Sequence, residues 1–130
     1  MQRQTLFRLA VATLACSDNK TTAPTVESLA GTWSLRTVDG ASLPIVLSAI
    51  GGTVRTLRAD VLTLGPTGTV RREITTRDSS AVGASTIVSV ETGTYAVTNN
   101  RIVLPFGSAP ASAEQITLTL SGQQHNYRRP

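Results

Sequence analysis

Between residues 29 and 130 the hydrophobic and polar positions alternate over short runs, each closed by turn residues. In Gly31-Thr32-Trp33-Ser34-Leu35-Arg36-Thr37-Val38, Trp33 and Leu35 share one side, and Ser34 and Arg36 take the other. This two-residue period belongs to a half-buried strand. Asp39-Gly40 closes it as a hairpin turn. The next strand is expected over 53–64, then a turn at Gly65-Pro66-Thr67-Gly68, then a mostly polar strand over 69–77 with Val70 and Ile74 on one face. Further strands are expected over 86–91, 93–97, 101–106, 114–120 and 123–129, with turns at Thr98-Asn99-Asn100 and Ser121-Gly122. The run 114–120 alternates most cleanly, with Ile116, Leu118 and Leu120 inward and threonines outward. Residues 41–52, 78–85 and 107–113 are small or neutral and read as loops, with Pro44 confining the piece 43–47 to an edge or a loop.

About eight short strands at regular spacing, with no amphipathic helix after residue 30, predict an all-β domain, a sandwich or an up-and-down antiparallel barrel. Closure into a barrel removes the free edges that invite aggregation. Val, Ile, Leu and Thr dominate, and β-branched side chains pack well on pleated surfaces. A chain of 130 residues holds one such domain.

The N-terminus reads differently. Residues 1–15 carry Arg3 in front, then a short apolar stretch ending in Ala15, the composition of an export signal peptide and too short for a lasting membrane span. Cys16 is the only cysteine, so an intramolecular disulfide is excluded. Its place after this stretch, before Ser17-Asp18-Asn19, resembles a bacterial lipobox. That resemblance implies acylation of Cys16 and a lipoprotein anchored in the cell envelope. Thr13 and Leu14 stand where a lipobox has Leu and a small residue, which leaves plain secretion as the other reading. Residues 16–28 are polar around Pro24 and read as a tether.

Charge narrows the function classes. Residues 1–15 hold Arg3 and Arg8 and no acid, so ten basic residues face eight acidic ones in the remainder. The densest basic spot, Arg71-Arg72, is followed by Glu73 and reads as a solvated strand face, so a nucleic-acid partner is not expected. His125 is the only histidine and reads as a strand residue with one wet face. With Cys16 far away, a His/Cys zinc site is excluded within one chain. No serine lies in a nucleophile elbow, and the carboxylates are scattered. No enzyme activity, cofactor or metal is expected.

The stretch 29–44, Leu-Ala-Gly-Thr-Trp-Ser-Leu-Arg-Thr-Val-Asp-Gly-Ala-Ser-Leu-Pro, resembles the opening of lipocalin-like domains in bacterial lipoproteins. Leu62-Thr63-Leu64 before a Gly turn, Gly93-Thr94-Tyr95 leading to Asn100 and Arg101-Ile102-Val103-Leu104, and the ending Tyr127-Arg128-Arg129 are similar as well. The resemblance implies a lipocalin-like barrel over 29–130, with Trp33 at its closed floor and an Arg of the last strand, Arg128 or Arg129, packed over the indole. It also implies a binding protein that takes a small hydrophobic ligand in the barrel mouth. The other open reading is an envelope interaction or structural protein with a solid core.

Overall fold

The computed structural model describes residues 23–130, and the expected signal segment and Cys16 lie outside them. The described chain is mostly antiparallel sheet. A single helical turn, α1 (Val26–Leu29), precedes eleven strands. These are β1 (Gly31–Val38), β2 (Ala41–Ser42), β3 (Ile45–Ile50), β4 (Thr53–Leu64), β5 (Thr69–Ser80), β6 (Gly83–Thr94), β7 (Ala96–Thr98), β8 (Arg101–Leu104), β9 (Gly107–Pro110), β10 (Gln115–Leu120) and β11 (Gln123–Arg128). An eight-stranded sheet runs β10-β11-β1-β4-β5-β6, with β2 added beside β1 and β3 beside β4. A second sheet of three strands runs β7-β8-β9. The two meet where β6 passes through Tyr95 into β7, and again at a single bridge between Ala111 and Ile116.

Local chemistry explains the turns. Asp39-Gly40, Gly51-Gly52, Asn99-Asn100 and Ser121-Gly122 all have positive φ at both positions. Paired positive φ values twist a two-residue turn to match the flanking strands, and Asn, Asp and Gly tolerate that region best. α1 is capped by Thr25, whose hydroxyl accepts from the Ser28 N–H at 3.0 Å while Ser28 Oγ accepts from the Thr25 N–H at 2.7 Å. This turn lies at the end of the segment expected to be a tether, and its Leu29 is fully buried.

Three expected loops are largely strand. Residues 41–52 contain β2 and β3, and residues 107–113 contain β9. The expected loop 78–85 shrinks to Ala81 and Val82, because β5 and β6 pair without interruption from Thr69↔Thr94 to Ser80↔Gly83. Ser, Ala and Gly are weak strand formers alone, but a ladder already zipped on one side supplies the pairing that propensity does not.

The core forms on one side of the large sheet. Trp33, Leu35, Leu57, Leu62, Leu64, Val70, Ile116, Leu118 and Tyr127 point there, joined by Ile102, Leu104 and Ala109 from the small sheet. Bulges at Leu35/Thr37 in β1 and Leu57/Ala59 in β4 shift the alternation by one. They keep Val38 and Leu57 inward although strict period two would send them out.

Candidate functional site

The core end of β4, β5 and β11 carries charge. Asp60 on β4 is 1% exposed and stands opposite Ile74 in the β4–β5 ladder, two positions before Leu62, which stands opposite Arg72. Both side chains therefore project to the core side. Arg72 donates from Nη2 to Asp60 Oδ2 at 2.7 Å and from Nε to Asp60 Oδ1 at 3.1 Å. The Tyr127 hydroxyl donates to the same Oδ2 at 2.8 Å. Arg72 Nη1 reaches Glu91 Oε1 on β6 at 3.2 Å, and the guanidinium carbon lies 5.1 Å from the Phe106 ring centroid. Arg72 is thus not on a solvated face, contrary to the expectation for Arg71-Arg72. Its partner twelve residues upstream neutralises it, whereas Arg71 stays outside, paired with Glu73 at 3.1 Å.

Burial by itself favours the neutral guanidine, but the hydrogen bonds to Asp60, with the fields of Tyr127, Asp60 and Glu91, raise the Arg72 pKa above its ordinary value. Burial, then the negative charge of Asp60, pushes the Tyr127 phenol well above its ordinary range, with Arg72 opposing only in part. Burial also raises Tyr95, whose hydroxyl lies 2.9 Å from the Val26 carbonyl and 2.8 Å from the Gly65 carbonyl.

The chain has two tyrosines, so their titration can be read directly. The fold holds both phenols neutral. The stability they contribute is complete below pH about 10 and falls as pH rises, since the unfolded chain releases those protons first. The Tyr127 share of the phenolate absorbance should rise only together with loss of sheet signal in circular dichroism, while Tyr95 titrates above its ordinary range. Ionisation of both tyrosines in the ordinary range with the sheet signal intact would contradict this geometry.

Above the charged group opens a cleft of about 420 Å³. Leu47, Leu57, Ile74, Phe106 and Leu120 supply apolar walls, and Asp60, Arg72, Thr119, Ser121, Gln123 and His125 supply polar ones. His125 faces inward and is 8% exposed, with Nδ1 3.2 Å from the Gln123 carbonyl, so it does not have the wet face expected for it. A larger concavity of about 580 Å³ lies by Ala23, Pro24, Ser28, Asn100, Ala111, Ser112 and Ala113, and none of these side chains titrates.

At Trp33 the arrangement is a closed one. The indole is fully buried and its Nε1 donates to the Leu29 carbonyl at 2.9 Å. The Arg129 guanidinium carbon lies 4.4 Å from the ring centroid. Arg129 also donates to the carbonyls of Ala113 at 2.9 Å, Ala30 at 3.1 Å and Ser28. Arg128, the other candidate, turns to the opposite face and donates to Gln115 Oε1 at 2.8 Å. Gly31 has φ +130°, which favours glycine, and a Cβ there would come within 3.1 Å of Arg129 Nη1, so a larger residue would also push the guanidinium slightly off its place.

The sequence reading missed the Asp60–Arg72–Tyr127 group. Its signal was present: Asp60 shares its face with Leu62 and Leu64, and Arg72 sits between Val70 and Ile74 on their shared face. Joining the two required the register of β4 on β5. Among the described residues, no cluster of three or more His, Cys, Asp or Glu could hold a metal, and no helix is long and apolar enough to cross a membrane. No family model, curated protein or solved structure matches this chain.

Proposed function

We propose that the protein is a non-enzymatic, lipocalin-like binding protein of the bacterial cell envelope that takes a small, partly apolar ligand into the cleft above Asp60 and Arg72. The observation that carries this reading is the cleft itself, in which five apolar side chains stand among six polar ones, two of them the buried Asp60 and its partner Arg72. Its volume falls between about 300 and 1,000 Å³, the range of small-molecule sites. Wrapping of the strands into one barrel is supported by the β11–β1 ladder, by the continuity of β6 into β7 at Tyr95, and by the Ala111–Ile116 bridge. In that barrel Trp33 and Arg129 close the floor, while the cleft is the mouth.

The polar groups at the base leave little room for a strong anion, since Arg72 already faces two carboxylates. Recognition rests on apolar contact and on hydrogen bonds from the rim. Export, with acylation of Cys16, puts such a carrier at the membrane surface, where apolar ligands partition. Two acyl chains would hold it there far more firmly than one.

Native mass spectrometry of the gently purified full-length protein tests both parts. The expected result is a copurified small molecule together with a lipid-modified Cys16. Ile74→Trp, which fills the cleft, should abolish the ligand adduct and leave the lipid in place. Bare protein with an empty cleft would favour the alternative, an envelope interaction protein with a solid core. Unmodified Cys16 on a full-length secreted product would sink the anchor.

A further inference from the structure

Strands β3 to β6 run on past the core: β4 has no buried residue before Leu57, and β6 is exposed from Gly83 to Thr92. They end in two turns side by side. Val54 pairs with Ala49 on β3 and with Ser79 on β5, so the turns at Gly51-Gly52 and Ala81-Val82 share one end of the sheet. Each brings an aliphatic side chain into solvent. Val82 is 98% and Ile50 77% exposed, the two highest values for large hydrophobic residues among those described. Residues 49–54 and 79–84 hold no charge. Single exposed aliphatics are ordinary, but here two hairpins deliver their most exposed ones to the same place.

Charge begins directly behind them. Arg55 donates to both oxygens of Asp78 at 2.7 and 2.8 Å, which cancels that pair. The next row crosses Thr56, Arg77 and Thr86, and Arg77 is exposed, as is Arg58 at the β4 bulge. Neither arginine has an ion-pair partner among the described residues. Arg77 stands three residues from Ser80, about 10 Å along the strand. The end of the sheet is thus layered, with aliphatic tips, then a neutral polar band of Thr53, Ser79 and Ser80, then unpaired cations.

We propose that these paired tips dock shallowly on an anionic lipid surface, with Ile50 and Val82 at the acyl boundary and Arg77 and Arg58 towards the phosphates. The layering selects this occupant. A protein element lying in a bilayer interface buries its apolar side about 5–10 Å into the headgroup boundary, which matches the depth from the tips to Arg77. Anionic headgroups there meet cations with no unpaired carboxylate beside them. Docking stays shallow because β3 and β6 leave backbone groups unpaired along their outer edges, and only a hydrated interface satisfies those. The inference does not rest on the cleft holding a ligand.

Flotation of the full-length chain carrying Cys16→Ser, which removes any acyl anchor, with vesicles of equal parts phosphatidylcholine and phosphatidylglycerol tests this. Binding is expected, and weaker binding to phosphatidylcholine alone. Ile50→Ser/Val82→Ser should weaken it about tenfold or more with unchanged circular dichroism, since both side chains already stand in solvent. Arg58→Gln/Arg77→Gln should remove most of the preference for anionic vesicles. In the same Cys16→Ser background, the emission of an environment-sensitive dye on Val82→Cys should shift to the blue with anionic vesicles. The same dye on Thr67→Cys, in the turn at the opposite end of β4 and β5, should not shift. No binding to anionic vesicles overturns the proposal. So does binding indifferent to the tip substitutions, equal binding to the two kinds of vesicle, or equal dye shifts at both ends of the sheet.

Discussion

Asp60→Ala is expected to cost about 3–5 kcal/mol of folding stability, the range for removing one partner of a buried ion pair. The carboxylate receives three donors from two residues, the Arg72 guanidinium and the Tyr127 hydroxyl. Its loss leaves a cation whose side chain is only 12% exposed, with Glu91 as its one remaining carboxylate and a phenol without an acceptor. For a domain of this size the melting temperature should fall by roughly 10–20 °C. The cost comes from the uncompensated charge rather than from the worth of the pair, so Asp60→Ala/Arg72→Met should recover much of it. Tyr127→Phe, which strands no charge, should cost only about 1–2 kcal/mol. Chemical denaturation of the four proteins checks the set. An Asp60→Ala protein within about 1 kcal/mol of the parent would show that water or Glu91 takes over the carboxylate's role.

Arg129→Ala is the second large effect, about 2–3 kcal/mol. The guanidinium covers the Trp33 ring, worth about 0.5–2 kcal/mol, and satisfies three carbonyl oxygens, of Ser28 in α1, of Ala30 just after it and of Ala113 before β10. Because Trp33 is the only tryptophan, its fluorescence reports the loss without ambiguity. The emission should shift to the red as water reaches the ring, and the denaturation midpoint should fall in parallel. Arg129→Lys should recover little, since an ammonium cannot lie flat on an indole while donating to three separated carbonyls. Arg128→Ala, removing one exposed contact with Gln115, should stay within about 0.5 kcal/mol of the parent. Equal effects at the two arginines would refute the assignment of the covering role to Arg129.

The contrast between these two clusters explains what could be read in advance. Trp33 and Arg129 belong to a short motif and a chain end, and their meeting was expected only because the resemblance to lipocalin-like domains implies it. The placement of Arg129 rather than Arg128 over the ring was not legible. It depends on where β11 stops and how the chain after Arg128 turns, and both residues carry the same side chain. The buried Asp60–Arg72 pair escaped for a different reason. Each residue alone resembles a surface charge, and Arg71-Arg72-Glu73 resembles a solvated run. The side Arg72 takes follows from the parity of β5, and the partner it finds follows from the unbroken register that runs from the turn at 65–68 back to Asp60.

By itself the sequence determined the strand composition, the turn positions, the inward faces of β1 and β10 and the shared face of Val70 and Ile74 on β5. Those features rest on side-chain period and on residues that tolerate positive φ, both local properties. It also held the short segment around Cys16 from which an address is inferred. Only the tertiary structure decided that the small-residue stretches at 41–52, 78–85 and 107–113 become mostly strand, that Asp60 and Arg72 are buried together under a cleft, and that β6 remains an edge. These outcomes depend on pairing between segments far apart in the chain. Backbone hydrogen bonds and charge neutralisation across a ladder outweigh what any residue prefers alone.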